Sequence, residues 1–293
     1  MDPSRRLDAA STALLTDSGV DLPAALRPAN WRVVPLSIVF GDESLRDGID
    51  LDAATFYRRL AAADRLPTTA QPSIEDLATA MRAALERFES VVALHLSEKL
   101  SGTAEAARAA ARAVGEDRVM VLESGAASLA LALLCLRVQA RLEAGTTAGE
   151  LAAAVEALRA AQRTAISPET LEYLQRGGRI GRAQAVAGSL LRVRPILVIE
   201  DGEVAAGGRV RGAGRVVPAL VDLVTRSTDA DRVLRCAYAH AENPEAAAAL
   251  EAAVTAVRPR ARTEAVCDVG PTVGTHIGPG AFAVTFVHDA LDG

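Results

Sequence analysis

Aromatic residues are scarce in this 293-residue chain, at 3% with a single Trp. The core must therefore be aliphatic, built from Ala, Val, Leu and Ile. Lysine is scarcer still. Lys99 is the only one, and nearly all positive charge is Arg, which we read as codon bias more than chemistry. No excess of positive charge exists either: the formal net charge is -5. A nucleic-acid binder usually needs a basic face and stacking residues, so that class is disfavoured, although a local basic patch is not excluded. The three cysteines, Cys135, Cys236 and Cys267, are odd in number and far apart, with no Cys-x-x-Cys. They suggest neither a disulfide framework nor a zinc site. His95, His240, His276 and His288 are scattered without ligand spacing, so no metal is expected. Residues 1–10 lack an apolar signal-peptide core, and the most apolar stretch, 128–136, is too short to span a bilayer. A cytoplasmic protein is expected.

What is present is an alternation. Short apolar runs at 13–15, 33–40, 91–96 and 119–122 read as strands. Between and after them, 55–64, 73–89, 102–114, 128–144 and 151–162 read as helices. Ser73 is the N-cap of the second, with Asp76 three residues on and Leu77, Met81, Leu85 and Phe88 marking its core face. The order predicts an α/β fold whose first domain is a parallel, doubly wound sheet. After about residue 164 the pattern changes. Helices are expected at 167–174, 183–191, 218–225 and 244–257. Strands are expected at 195–199, 203–205, 234–239 and 282–287, with a hairpin turn at Asp201-Gly202 and a Gly-rich stretch at 270–280. This reads as an α+β second domain. The expected division is 1–164 and 165–293, and it need not be continuous in sequence.

Two hydroxyl-rich turns stand out, Pro67-Thr68-Thr69-Ala70-Gln71-Pro72-Ser73 and Ser97-Glu98-Lys99-Leu100-Ser101-Gly102-Thr103. Each precedes an Ala-rich helix. Together they can converge uncharged donors and helix N-termini on one small anion, with aliphatic residues behind them for an apolar tail. Ordinary roles compete. Ser101 can cap its helix, Thr69 can be a turn residue, and His276 can be a hydrogen-bonded loop histidine. Arg176, Arg179 and Arg182 can be a solvated cluster. Asp17-Ser18 has no paired base and reads as a strand-end cap.

In ordered blocks the chain resembles the DegV family of bacterial fatty-acid-binding proteins, from Leu14 to Val287. The blocks are Thr16-Asp17-Ser18-x-x-Asp21-Leu22-Pro23, Val34-Pro35-Leu36 with Asp47-Gly48, Pro67-Thr68-Thr69-x-Gln71-Pro72, and His95-x-Ser97-x-x-Leu100-Ser101-Gly102-Thr103. They continue with Leu171-x-Tyr173-Leu174-x-Arg176-Gly177-Gly178-Arg179 and Gly270-Pro271-x-x-Gly274-Thr275-His276-x-Gly278-Pro279-Gly280. The resemblance implies a two-domain α/β protein holding one fatty acid, such as palmitate, stearate or oleate, in a tunnel between the domains. It is that of a lipid-binding carrier of the fatty-acid kinase B subunit type, not an enzyme, which presents the carboxylate to a separate ATP-dependent kinase. Thr69 and Ser101 would hold that carboxylate, with Ser97, Gly102 and His276 nearby and no metal or other cofactor. Arg176 and Arg179 would sit near the tunnel mouth and the kinase contact, and a transient membrane contact is compatible with such a role. The tunnel lining is expected from both domains.

Departures from the family pattern lie at Ala70 and Glu98, where Ser is common, at Glu123 in place of Asp, and in the sparser basic run 210–215. Glu98 is expected to face solvent or to be neutralised by Lys99. A phosphotransferase or hydrolase using Asp17, Ser101 or His276 remains the alternative. Against it stand the lack of a Gly-x-x-x-x-Gly-Lys loop and of paired carboxylates at diagnostic spacing.

Overall fold

The computed structural model describes residues 1–186 and 193–288. A short strand β1 (Arg6–Leu7) leads into β2 (Thr12–Asp17), whose six residues are all buried. β3 (Trp31–Val34) and β4 (Ser37–Phe40) follow. The sequence reads as one strand over 33–40, but the two halves join different sheets. Pro35 offers no N–H to a ladder, and the next N–H, of Leu36, donates to Ser18 Oγ at 3.0 Å. β4 turns back into β5 (Glu43–Arg46), and α1 (Ala53–Ala62) then buries Phe56, Tyr57 and Leu60. β6 (Thr68–Ala70) adds to the free side of β4, which sets Thr69 opposite Ile38.

α2 (Ile74–Leu85) opens on the Ser73–Asp76 capping box. β7 (Ser90–Leu94), α3 (Thr103–Val114) and β8 (Val119–Leu122) continue the alternation. β3, β2, β7 and β8 form a parallel sheet in that order. Leu77 and Met81 of α2, with Ala107 and Ala110 of α3, pack on one face against Ala13, Leu15, Val91 and Ala93. α4 (Leu129–Ala144) takes the other face. It buries eleven of its sixteen residues, as expected of a helix that is apolar nearly all round, because a second sheet packs against its far side.

β9 (Thr146–Thr147) pairs with β1, and α5 (Ala148–Ala161) starts from a second capping box, Thr147 with Glu150. The second sheet then begins with β10 (Arg163–Ser167). Ser167, expected in a helix, ends this strand; the helix, α6 (Glu172–Arg176), comes later and is shorter. Of the helix expected at 183–191, residues 183–186 lie in a 3-10 turn (Gly181–Val186), and the rest falls outside the described residues. β11 (Val193–Glu200) and β12 (Glu203–Arg211) form a hairpin with positive φ at both Asp201 and Gly202, the twist that a two-residue hairpin turn requires. α7 (Val216–Ser227), β13 (Leu234–His240), α8 (Pro244–Val257), β14 (Ala261–Asp268), α9 (Pro271–Ile277) and β15 (Phe282–Val287) complete the order.

β14 and α9 were not expected. Among the described residues β14 is an edge strand paired only with β13, and its Arg, Thr and Glu side chains hide the strand pattern. α9 lies in the Gly-rich stretch read as loop. Pro271 stands at its first turn and Gly278, at φ 73°, ends it, so the residues that read as breakers are its punctuation.

The mixed sheet of the described residues runs β12-β11-β10-β15-β13-β14, with only β13 and β14 parallel. Leu220 and Val224 of α7, with Leu250 and Val254 of α8, cover its outer face over Tyr238 and Phe286. Its inner face looks toward α4. The molecule is thus a parallel α/β sheet and a separate mixed-sheet domain, with α4 between the two sheets.

Candidate functional site

A cavity of about 430 Å³ lies against the inner face of the mixed sheet, within the size range of ligand pockets. Its walls are largely apolar: Leu36, Leu96 and Leu129 come from the parallel-sheet part, Ile166, Ile199, Ala237 and Phe282 from the mixed sheet, and Val273 and Ile277 from α9. Its lining also includes Thr69, Gln71, Ser101, Arg179 and His276.

These five polar residues form one group. β6 holds Thr69, and its Oγ1 lies 2.9 Å from His276 Nε2. The turn after β7 holds Ser101, whose backbone N–H donates to Ser97 O at 2.9 Å. Ser101 Oγ lies 2.8 Å from Thr103 Oγ1 and accepts from Thr103 N at 3.3 Å. The hydroxyl thus bonds the first residue of α3, whose N-cap is Gly102, and Ser101 also borders the cavity. Gln71 bridges the turns: a Cβ at Gly102 would stand 2.3 Å from Gln71 Oε1. Arg179 closes the group. Its Nε donates to Leu100 O at 3.2 Å and its Nη1 to Gly177 O at 2.7 Å.

His276 is neutral here. Burial, aided by the positive charge of Arg179, pushes its pKa down to about 4, and its Nδ1 is buried without a hydrogen-bond partner among the described residues. The ring is packed from behind, since a Cβ at Gly177 would meet Nδ1 at 2.3 Å. Its helix is anchored at the other end. Asp47 Oδ2 accepts from Thr272 N at 3.1 Å and Thr272 Oγ1 at 2.5 Å, and Asp21 accepts from Gly270 N at 3.0 Å and Ser128 Oγ at 2.6 Å. Burial raises both carboxyls, that of Asp21 well above its ordinary range.

The remaining candidates lie elsewhere. Ser97 is buried outside the cavity lining and donates to Gly202 O at 2.6 Å, tying the β11–β12 turn to the parallel sheet. Gly102 sits behind Ser101 and also outside the lining. Arg176 is exposed and paired with Glu172 at 2.7 Å. Arg179, read from the sequence as a partner contact, is part of the cavity wall. Glu98 pairs with Arg108 rather than Lys99. Asp17 is a fully buried structural acceptor for Gly19 N, Leu96 N and His95 Nδ1. Sequence reasoning missed Gln71 and Arg179 as cavity residues; the only signal for either was its place in a block also holding a chosen residue. Among the described residues no cluster of His, Cys, Asp and Glu is arranged to hold a metal ion, and no helix is long and apolar enough to cross a membrane.

An apolar cavity beside hydroxyls, a neutral imidazole and one guanidinium suits an amphiphile with an anionic head. Known proteins share this architecture. The family model described as an uncharacterised protein of the DegV family matches residues 11–289. A DegV domain-containing protein of Deinococcus radiodurans is 34% identical over 276 residues, covering 94% of this chain and 97% of its own. A DegV family protein of Thermus thermophilus, described as fatty-acid-binding, is 35% identical with a TM-score of 0.90, covering 95% of this chain and 99% of that one. DegV of Bacillus subtilis, a fatty-acid-binding protein, is 28% identical with a TM-score of 0.86, covering 96% and 100%. The chain belongs to the DegV family.

Proposed function

We propose that this protein is a non-catalytic carrier of one long-chain fatty acid. The carboxylate is held by Thr69 and Ser101, and the tail lies in the cavity between the two parts of the chain, which we divide near residue 164. The observation that carries this reading is the presence of both hydroxyls, with His276 and Arg179, in the lining of a largely apolar cavity.

The energetics divide the work. Each buried methylene contributes about 0.8 kcal/mol, so a chain of ~16 carbons gains on the order of 12 kcal/mol before ordering costs. The head needs only enough donors to offset desolvation of its charge. Thr69 and Ser101 supply hydroxyls, and Arg179 adds a positive charge that the sequence reading had left out. With two of its nitrogens on backbone carbonyls, Arg179 is positioned to balance the head without clamping it in a bidentate pair. A loosely balanced head suits a carboxylate that is handed on. The receiver we propose is a separate ATP-dependent kinase subunit meeting the cavity near Arg176, which is exposed.

Fatty-acid titration of the Thr69→Ala, Ser101→Ala double variant tests the assignment. Two hydrogen bonds to a charged group are worth about 1.5–3 kcal/mol each, so affinity should fall by roughly 100-fold or more. Undiminished binding would sink the head-group assignment, and turnover of ATP by the protein alone would contradict the carrier reading.

A further inference from the structure

Antiparallel register places the cavity face of the mixed sheet in rows. Ile166, Ala283 and Ala239 stand side by side on β10, β15 and β13, and two residues farther along stand Thr164, Thr285 and Ala237. All six line the cavity. The first row lies nearer to α9, because Ala281 and Phe282 follow that helix in the chain. The second lies two residues, about 7 Å, deeper along β15. The deeper row carries two hydroxyls. Thr164 and Thr285 are 8% and 3% exposed, and their Oγ1 atoms lie 3.0 Å apart.

We propose that this pair is a recognition site for a hydroxyl group carried partway along the acyl chain. The proposal rests on the fatty-acid reading above and adds the class of fatty acid: an oxygenated one. Whichever threonine donates in the pair, the other keeps its own O–H proton, and both oxygens keep lone pairs. Among the described residues neither hydroxyl has a second hydrogen-bond partner. A plain hydrocarbon tail lying over the pair leaves that proton unused, and valine would serve such a tail better. A chain hydroxyl accepts the free proton and donates to the partner oxygen. The wall is also polar from behind: Thr164, with Ala130 and Ile199, is shared with a second cleft of about 560 Å³ that Gln162, Arg163 and Ser227 help to line. A cross-strand Thr pair also steadies a sheet, but that role sets no preference among ligands.

The test is calorimetric titration of the delipidated full-length protein with stearate, 10-hydroxystearate and 12-hydroxystearate. An all-apolar cavity would bind both hydroxy acids roughly 10- to 100-fold more weakly than stearate, the cost of an unpaired buried hydroxyl. The expected result is that at least one of them binds as tightly as stearate or more tightly. In a Thr164→Val, Thr285→Val variant with a cooperative melt, that hydroxy acid should weaken by the same 10- to 100-fold while stearate holds or improves. Weak binding of both hydroxy acids by the wild type, or an unchanged preference in the variant, overturns the proposal; the wild-type comparison decides even if the variant does not fold. Failure of stearate itself to bind removes the fatty-acid reading, and the proposal with it.

Discussion

Gly177 touches no ligand position, yet replacing it with alanine should damage the head-group site through one atom. The backbone there is helical, at φ -74° and ψ -8°, so Ala fits locally and even gains about 0.4–1 kcal/mol by restricting the unfolded chain. Its methyl, however, would stand 2.3 Å from His276 Nδ1 and 3.0 Å from the Tyr173 carbonyl oxygen. The imidazole must move by about an ångström, which breaks its 2.9 Å contact with Thr69 Oγ1. Overpacking costs about 1–3 kcal/mol and the lost hydrogen bond about 0.5–1.5. The net loss of stability should be roughly 1–3 kcal/mol, a fall in Tm of about 3–9 °C for a chain of this size. Fatty-acid affinity should drop about tenfold, since Thr69 loses its partner. The control is Gly178→Ala. That residue sits at φ +69° with no described residue within 4 Å of a new Cβ, so it should cost about 1–2 kcal/mol of backbone strain and leave affinity alone. In a His276→Ala background, Gly177→Ala should lose most of its effect. Scanning calorimetry and ligand titration on wild type and these four variants decide the matter. If Gly177→Ala leaves both Tm and affinity unchanged, His276 is not wedged as described.

The sign of the pH dependence follows from the same ring. His276 has its pKa pushed from 6.5 down to about 4, so above pH 6.5 it is neutral in both the folded and unfolded chain and its stabilisation is fully present. As pH falls from 6.5 through about 4, the unfolded chain takes up a proton that the folded one refuses, and stability on the order of 3 kcal/mol is lost. Denaturant melts of wild type and His276→Asn across that window should show the loss only in the wild type; parallel curves would contradict it. Asp21 behaves oppositely. Its carboxyl is raised well above the ordinary value by burial, so its contribution is present at low pH and lost as pH rises through the folded pKa. Asp21→Asn keeps an acceptor for Gly270 N and turns its amide toward Ser128 Oγ, so it should be at least as stable as wild type at pH 8 and lose that advantage near pH 4. A large destabilisation at pH 8 would show that the ionised carboxylate is what Gly270 and Ser128 require.

Much of the site was legible because its residues sit in turns next to strongly patterned elements. Ser73 and Asp76 announced α2, and Thr69 lies just before them. The apolar run at 129–136 announced a buried helix, which is what separates the two sheets. Legibility failed where a residue acts across the molecule. Arg179 reads as one of several surface arginines, and only the approach of α6 to the turn at Leu100 brings its guanidinium into the wall. Ser97 looks like Ser101 in sequence, but the β11–β12 turn claims its hydroxyl. α9 was hidden because Gly270, Gly274 and Gly278 suggest a loop. Gly274 is there because a Cβ would strike Tyr57 Oη at 2.7 Å and the Phe56 ring at 2.8 Å, a close packing of α9 on α1 that no local pattern reveals.

The central claim is that the cavity holds a fatty acid, and native mass spectrometry of the protein as purified, followed by extraction and identification of what is bound, tests it most directly. One fatty acid per chain, retained through purification, is the expected result. A protein that is empty and also fails to take up added palmitate or oleate would contradict it.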